Sequence, residues 1–191
     1  MPHARLSLAL YFALLAFVFC AEAAELSADM IARDGEQKQT GKLYVKGNKY
    51  RVDSKSTSGY AIIRHDKNKS WIVMPDQKAY IEMPFDPRKK PAIEERQWQE
   101  GNRRLLGSET INGHVTKKYE VTVAGGEPGE SFYQWVAPDI NFPIKTAAVD
   151  GNWSIEYSNI KMSVPDNLFE IPETYEKIAM PPKGGEVSNT R

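Results

Sequence analysis

The sequence has almost no cysteine: its 191 residues include one, Cys20. A single cysteine cannot form a disulfide within the chain, and it cannot supply the thiolate clusters of structural zinc sites. The chain also lacks a net charge, because 25 lysines and arginines balance 25 aspartates and glutamates. A neutral chain has no overall field that attracts nucleic acid. We therefore expect no nucleic-acid partner and a fold stabilised by its hydrophobic core.

The residue patterns of common catalytic and metal sites are missing as well. Of three histidines, only His65 and His114 follow the N-terminal segment, and neither has a partner at metal-ligand spacing. No serine lies in a Gly-x-Ser-x-Gly context, and the polar connection at residues 54–58 lacks the glycines of a phosphate-binding loop. We therefore predict no metal, no cofactor, no catalytic residue and no enzyme activity, and a hydrolase is the weakest hypothesis.

The first 23 residues differ from the rest of the chain. Arg5 precedes an uncharged apolar run over residues 6–21, and a small-x-small pattern follows at residues 21–23. This arrangement is typical of a cleaved secretory signal peptide, so we predict a mature protein in the periplasm that begins near Ala24. Two alternatives stay open: a retained anchor, for which the run is short, and a lipid on Cys20, for which Phe19 is an unsuitable preceding residue. Cleavage would remove the only cysteine and leave the net charge at zero.

Short strands separated by turn residues fill most of the remaining chain, and residues 59–83 show the pattern best. Turn residues at 66–69 and 75–77 divide this stretch into three strands. The strand at residues 70–74 is apolar on both sides, so we expect both of its faces to be covered. With similar patterns on either side, about ten strands are predicted, and an open sheet of that size must curl. The predicted fold is mainly β, a single curved antiparallel sheet shaped as a half-barrel, with at most one or two short helices as a lid.

Two details of the second half are specific enough to check. In residues 115–123 the alternation predicts that Val115, Tyr119 and Val121 face the core, while Thr116 and its neighbours of the same parity face water. In residues 153–162 the apolar parity changes, which predicts a β-bulge near residues 158–159.

Two segments interrupt the strand pattern. Residues 85–101 contain prolines and then one candidate helix with Trp98, which is either a lid over a cavity or, more simply, an ordinary connection that Trp98 attaches to the body. Residues 179–191 are rich in proline, glycine and polar residues, which indicates a disordered tail. The predicted organisation is a signal peptide at 1–23, a β domain at 24–178 and a tail at 179–191.

The order of these elements resembles a known superfamily. The resemblance is carried by GKLYVKGNKYRVD at 41–53, IIRHDKNKSWIVMPDQKAYIEM at 62–83, GSETINGHVTKKYEVTV at 107–123, YQWVAPDINFPIK at 133–145 and NLFEIPETYEKI at 167–178. The resemblance covers essentially the whole mature chain. The chain is similar to the LolA and LolB bacterial lipoprotein carriers, and more closely to an allied family of secreted Gram-negative proteins of unknown function. The resemblance implies a curved half-barrel with a lid over an apolar concavity that can hold acyl chains. It supplies no catalytic residues.

Aromatic side chains are frequent in the predicted strands. Such residues usually fill a core, but a curled sheet with few helices has more inward apolar positions than it can cover. We therefore predict a hydrophobic cavity lined by Trp71, Tyr80, Trp98, Tyr119, Trp135 and Trp153.

These observations support two hypotheses about function, which belong to different classes. The first is a periplasmic non-catalytic carrier or binding protein for a lipid, a lipoprotein acyl chain or another hydrophobic ligand. The alternative is a structural or interaction protein of the envelope, with a filled core and no small ligand. In either case we expect a monomer, with an envelope protein as a further candidate partner.

Overall fold

The computed structural model describes residues 25–84, 103–122 and 131–179. Twelve strands form one open curved sheet: β1 (Glu25–Asp34), β2 (Gln37–Lys46), β3 (Lys49–Ser54), β4 (Tyr60–Arg64), β5 (Lys69–Met74), β6 (Ala79–Pro84), β7 (Arg103–Ile111), β8 (His114–Thr122), β9 (Ser131–Ala137), β10 (Phe142–Ala148), β11 (Trp153–Lys161) and β12 (Glu176–Lys177). This architecture confirms the predicted fold class. The predicted signal peptide, the connection with Trp98 and nearly all of the predicted tail lie outside the described residues.

The sheet consists of two meanders joined side by side. The strand order is β12-β6-β5-β4-β3-β2-β1-β11-β10-β9-β8-β7, and neighbouring strands are antiparallel except for the parallel pair β12 and β6. β1 pairs with β11 over most of its length, so the first strand and the eleventh form the seam between the halves. One buried cluster extends from β3 across this seam to β9, which shows that both halves share a core.

The turns follow local residue chemistry. The connections of β4 to β5 and of β5 to β6 are 3₁₀ turns that end with Asn68 and Lys78 in the left-handed conformation. Asn112 and Gly113 join β7 to β8 with φ angles of 48° and 85°, as a tight hairpin between right-twisted strands requires. The first two turns lie at positions where the sequence predicts them.

The predicted β-bulge in β11 is confirmed. Asn159 has a φ of 52°, and the register between β1 and β11 shifts between Ser27 and Asp29. The extra residue in β11 moves the side chains that follow it to the opposite parity, so Ile160 packs against the same core cluster as Tyr157. A second register shift separates Leu105 from Gly107 on β7.

The prediction for the start of β8 is wrong. Val115 is 65% exposed, whereas Thr116 is fully buried and donates a hydrogen bond from Oγ1 to the carbonyl oxygen of Glu109 at 2.7 Å. The alternation was assigned correctly, but β9 pairs with β8 only from Lys117 onward, so the first residues of β8 have another environment. A buried threonine is acceptable there because its hydroxyl is satisfied.

Candidate functional site

The sheet has two faces with different chemistry. The core face is the side that carries Leu26, Met30, Leu43, Val52 and Ile155, and residues directly opposite one another in the paired strands share this side. We call the other side the clasp face; it carries the positions that alternate with those residues, and part of it is covered by the C-terminal segment described below. Since the pleat alternates sides at every residue, the strand register assigns each side chain to one face.

One row of side chains crosses the core face from the seam to the open edge of the sheet. The row is formed by directly opposed residues in successive strands: Ala32, Ile155, Thr146, Gln134, Tyr119 and Leu105. Its exposure changes along the way, since Ile155 is 5% exposed, Tyr119 is half-buried and Leu105 is 56% exposed. The core face therefore passes gradually from closed core to solvent-exposed apolar surface.

A small apolar cluster lies at the exposed end of this face. Val121 and Phe132 are buried there, with half-buried Tyr119 and Trp153 packed against them. The rings of Phe132 and Trp153 are 6.4 Å apart between centroids, within the range of favourable aromatic contacts. Beyond the cluster, Leu105 and Val115 expose more than half of their surface. A surface of this kind is the usual basis of a hydrophobic binding site.

Gln134 is an uncharged polar side chain in the middle of this apolar face. It is 4% exposed, and its Oε1 atom has no hydrogen-bond partner among the described residues. Its neighbour Thr146 in β10 is also buried. An unsatisfied buried acceptor destabilises a fold by about 1–3 kcal/mol, so its presence requires a reason.

The clasp face is closed over β3 to β6 by residues 164–177, which we call the C-terminal clasp. Val164 and Phe169 of the clasp are fully buried or nearly so, and they form one cluster with Tyr60, Trp71 and other residues of β4 and β5. Leu168, Ile171 and Tyr175 pack around this cluster. The strand at residues 70–74 is thus covered on the side of Trp71 by the clasp, which confirms part of the two-sided cover that the sequence predicts.

Charged groups hold the middle of the clasp in place. Arg64 is 4% exposed, forms a 2.5 Å ion pair with Asp66 and pairs with Glu170 of the clasp. The hydrogen bonds that Arg64 donates to Asp66 and Glu170 outweigh the burial of the guanidinium and raise the pKa of Arg64, so the side chain stays charged. Burial alone would raise the pKa of Glu170, but the bonds from Lys67 and Arg64 dominate and lower it.

Further ion pairs hold the two ends of the clasp. At one end, Asp166 accepts bonds from Lys46 at 3.0 Å and Lys49 at 2.9 Å, and these bonds lower its pKa. A groove of about 330 Å³ lies beside them; it is lined by Glu25, Lys46, Gly47, Asn48, Lys49 and Asp66. Because Asp166 and Glu25 together balance the charge of the two lysines, we assign the groove to the attachment of the clasp.

At the other end, Glu82 connects the clasp to the sheet edge. It accepts hydrogen bonds from Lys177 at 2.9 Å, from Trp71 Nε1 at 3.1 Å and from Lys69 at 3.3 Å. These three bonds, with that of Lys177 the most important, lower the pKa of Glu82 to about 2. The indole nitrogen of Trp71 is therefore satisfied by the protein itself.

The predicted cavity residues lie on both faces of the sheet. Trp71 and Tyr80 lie on the clasp face beneath the clasp. Trp135 lies on the same face of β9, with Lys118 and Lys145 at 4.7 and 5.2 Å from its ring centre, and its Nε1 donates to Glu109. Tyr119 and Trp153 lie together on the core face. Trp98 lies outside the described residues. The structure therefore brings the six together only as two separate pairs, Trp71 with Tyr80 and Tyr119 with Trp153, and their role in binding stays a prediction.

Sequence reasoning missed Gln134. The signal was present, because Gln134 is the one amide in the otherwise apolar and aromatic strand SFYQWVA. What could not be read from the sequence is its parity, which places it on the core face opposite Tyr119 and Thr146.

The described residues contain no group of three or more histidine, cysteine, aspartate or glutamate side chains placed to hold a metal ion. They also contain no helix whose length and apolar character would allow it to cross a membrane.

Comparison with known structures shows which proteins share the fold of this sheet. MucB matches with a TM-score of 0.56 and 12% identity, covering 88% of this chain and 65% of its own. The Pseudomonas aeruginosa MucA/MucB complex matches with a TM-score of 0.53 and 12% identity, covering 82% of this chain and 58% of that chain. At these identities the match shows a shared fold alone, and the chain spans only 57% to 65% of the MucB chains.

The family is shown by sequence. The domain of unknown function DUF4412 matches residues 25–141, and the chain belongs to this family. No curated protein matches the sequence. Structures of the LolA superfamily are also among the matches, as the resemblance predicts; the LolA superfamily protein NE2245 from Nitrosomonas europaea matches at 13% identity over 85% of this chain and 96% of its own, with a TM-score of 0.34.

Proposed function

We propose that this protein is a non-catalytic carrier or binding protein of the bacterial envelope that holds a lipid, a lipoprotein acyl chain or a similar hydrophobic ligand on its core face. The observation that carries the proposal is the row on that face that runs from the buried core at Ile155, past half-buried Tyr119, to the exposed Leu105. Exposed apolar residues beside half-buried aromatic rings support a binding site, because larger apolar surface patches often mark places where a ligand or partner binds.

The two faces support this assignment by their difference. On the clasp face, the row across β8 to β11 carries the charged groups Lys118, Lys145 and Glu156 beside the buried Trp135. On the core face, Tyr119 and Trp153 are the aromatic residues next to the exposed end. We propose these two as ligand-contacting residues, while Trp71 and Tyr80 act by holding the clasp.

A location in the periplasm completes the proposal. Its support is the apolar N-terminal segment with its small-x-small end, together with the fold shared with MucB, which has been solved with the segment MucA(peri). The measurement is the N-terminal mass of the exported protein. A mature chain that begins near Ala24 is expected, and an acylated Cys20 at the N-terminus would instead make the protein a lipoprotein.

The binding test uses a fluorescent acyl probe, dansylaminoundecanoic acid, titrated against the purified mature protein. Saturable enhancement of its emission is expected, because a core-face site removes the dansyl group from water. The matched variants are Tyr119→Ala and Tyr133→Ala: both tyrosines are half-buried in β8 and β9, but they lie on opposite faces. Tyr119→Ala should weaken binding by about tenfold, as loss of one buried aromatic contact does, and Tyr133→Ala should not.

Each outcome has a separate meaning. Absence of saturable binding by the folded wild type defeats the carrier proposal. Binding that both variants weaken equally leaves a carrier but removes the site from the core face.

A second candidate function rests on the open edge of the sheet. Eight of the nine residues of β7 are exposed, and a strand edge with free backbone groups is a template for an added strand. MucB, which shares the fold, has been solved in complex with MucA. If acyl binding fails, a photo-crosslinking residue at Ser108 should capture one defined envelope protein, whereas the same residue at the exposed Asp150 turn should not.

A further inference from the structure

We propose that the side-chain oxygen of Gln134 accepts a hydrogen bond from the ligand, so that the preferred ligands are apolar chains that carry a hydroxyl or an amide N–H. This inference rests on the proposed function and specifies its ligand class. It requires that a polar atom of the ligand reaches the core face of β9, where Gln134 lies between Tyr119 and Thr146 in the cross-strand row.

The first argument is the unpaired acceptor itself. Gln134 is 4% exposed, and its Oε1 has no hydrogen-bond partner in the described part of the chain. Two other buried polar side chains are satisfied: Arg64 pairs with Asp66 and Glu170, and Thr116 donates to the Glu109 carbonyl. The unpaired amide oxygen of Gln134 differs from these two groups, and unsatisfied buried groups concentrate at functional sites.

The second argument is the access that the neighbouring strands give. Tyr119, directly opposite Gln134 in β8, is half-buried, and Leu105, directly opposite Tyr119 in β7, is 56% exposed. Two strand spacings, about 10 Å, separate Gln134 from this exposed end. An apolar chain can lie along this row, with Leu105 and Tyr119 against its methylenes and its polar group at Gln134.

The third argument is the chemistry of the atom. An amide oxygen is an acceptor only, so its ligand partner must supply O–H or N–H. The surrounding cluster of Val121, Phe132, Tyr119 and Trp153 is apolar, which disfavours a charged ligand group at that depth. An ionised fatty acid and a simple ester both lack a donor. Hydroxylated acyl chains, fatty alcohols and N-acyl compounds are the classes that satisfy Gln134.

The experiment compares two ligands that differ by this donor alone. Dodecan-1-ol and 1-methoxydodecane are each used to displace dansylaminoundecanoic acid from the mature wild-type protein. The alcohol is expected to compete about tenfold better, the ratio that one hydrogen bond to a buried acceptor supplies. The Gln134→Met variant keeps the length of the side chain and removes the acceptor. In this variant dodecan-1-ol and 1-methoxydodecane should therefore compete about equally well.

The outcomes separate this inference from the proposed function. If the probe does not bind the wild type, the proposed function fails. If the probe binds and the wild type does not prefer the alcohol, only the assignment of Gln134 is overturned, and this result needs no variant. A preference that Gln134→Met retains also overturns it, because the donor would then be recognised elsewhere.

Discussion

The two faces of this sheet show two ways to treat apolar strand surface. Over β3 to β6 the chain covers the clasp face with its own C-terminal segment, which buries Phe169 completely and pairs the buried Arg64. Over β7 to β9 the core face ends in exposed Leu105, half-buried Tyr119 and an unpaired Gln134 oxygen. The protein covers the first surface with its own residues. The second surface stays partly exposed, and this exposed surface is the one to which we assign the ligand.

The comparison also separates the predicted aromatic residues into two groups. Trp71 and Trp135 are both deeply buried, and both donate their indole N–H to a glutamate of the protein. Tyr119 and Trp153 are less buried and lie where the apolar face opens. Residual exposure beside an apolar surface distinguishes the two groups better than residue type does.

The largest effect is expected when the clasp loses its central anchor. Phe169→Ala removes a fully buried ring that packs against β4 and β5, and we expect the free energy of unfolding to fall by about 3–5 kcal/mol. Urea denaturation followed by circular dichroism measures it. The control Ile178→Ala, at a residue 38% exposed just beyond the clasp, should change stability by less than about 0.5 kcal/mol. A loss below about 1 kcal/mol for Phe169→Ala would mean that the clasp is not part of the core.

The next effect concerns the charge beneath the clasp. Arg64→Met leaves the carboxylates of Asp66 and Glu170 without their partner, but their side chains are 37% and 51% exposed, so water can solvate them. We therefore expect a loss of about 1–3 kcal/mol, less than for a fully buried pair. Lys67→Met, which removes an exposed partner of the same Glu170, should cost under about 1 kcal/mol. Equal losses for the two variants would contradict the special role of Arg64.

Acid should weaken the attachment of the clasp. The pKa of Glu82 is about 2 in the folded protein and 4.5 in its ordinary state, so the unfolded chain binds more protons between these values. The stabilisation is therefore fully present above pH 4.5 and is lost as the pH falls towards 2. The difference in urea midpoint between wild type and Glu82→Gln should be clear at neutral pH and should shrink across this window. A difference that does not change with pH would exclude the ionised carboxylate as the cause.

The smallest effect compares a paired and an unpaired buried polar group. Thr116→Val breaks the bond to the Glu109 carbonyl and should lower the free energy of unfolding by about 1 kcal/mol. Gln134→Met removes an acceptor that has no partner among the described residues, so stability should be unchanged or rise by up to about 1 kcal/mol. Denaturation without ligand measures the change in the free energy of unfolding for each variant, and the test is whether Gln134→Met is more stable than Thr116→Val. A clear destabilisation by Gln134→Met would show that the amide has a structural role.

Local features of the fold could be predicted from local sequence. The 3₁₀ turns ending at Asn68 and Lys78, the Asn112 hairpin and the Asn159 bulge follow from turn chemistry and a change of parity within a few residues. The one local failure, at Val115 and Thr116, occurred where β8 extends past the end of its β9 partner.

The sequence by itself determined the strands, their turns and the two-sided apolar character of the strand with Trp71, because these depend on the conformational preferences of neighbouring residues. Only the tertiary structure decided which parity meets the clasp and which meets the core face. It did so through contacts between distant parts of the chain: the β1 to β11 seam and the pairing of Arg64 with Glu170. The same long-range register placed Gln134 beside Tyr119 on the apolar side, and no local pattern contains that choice.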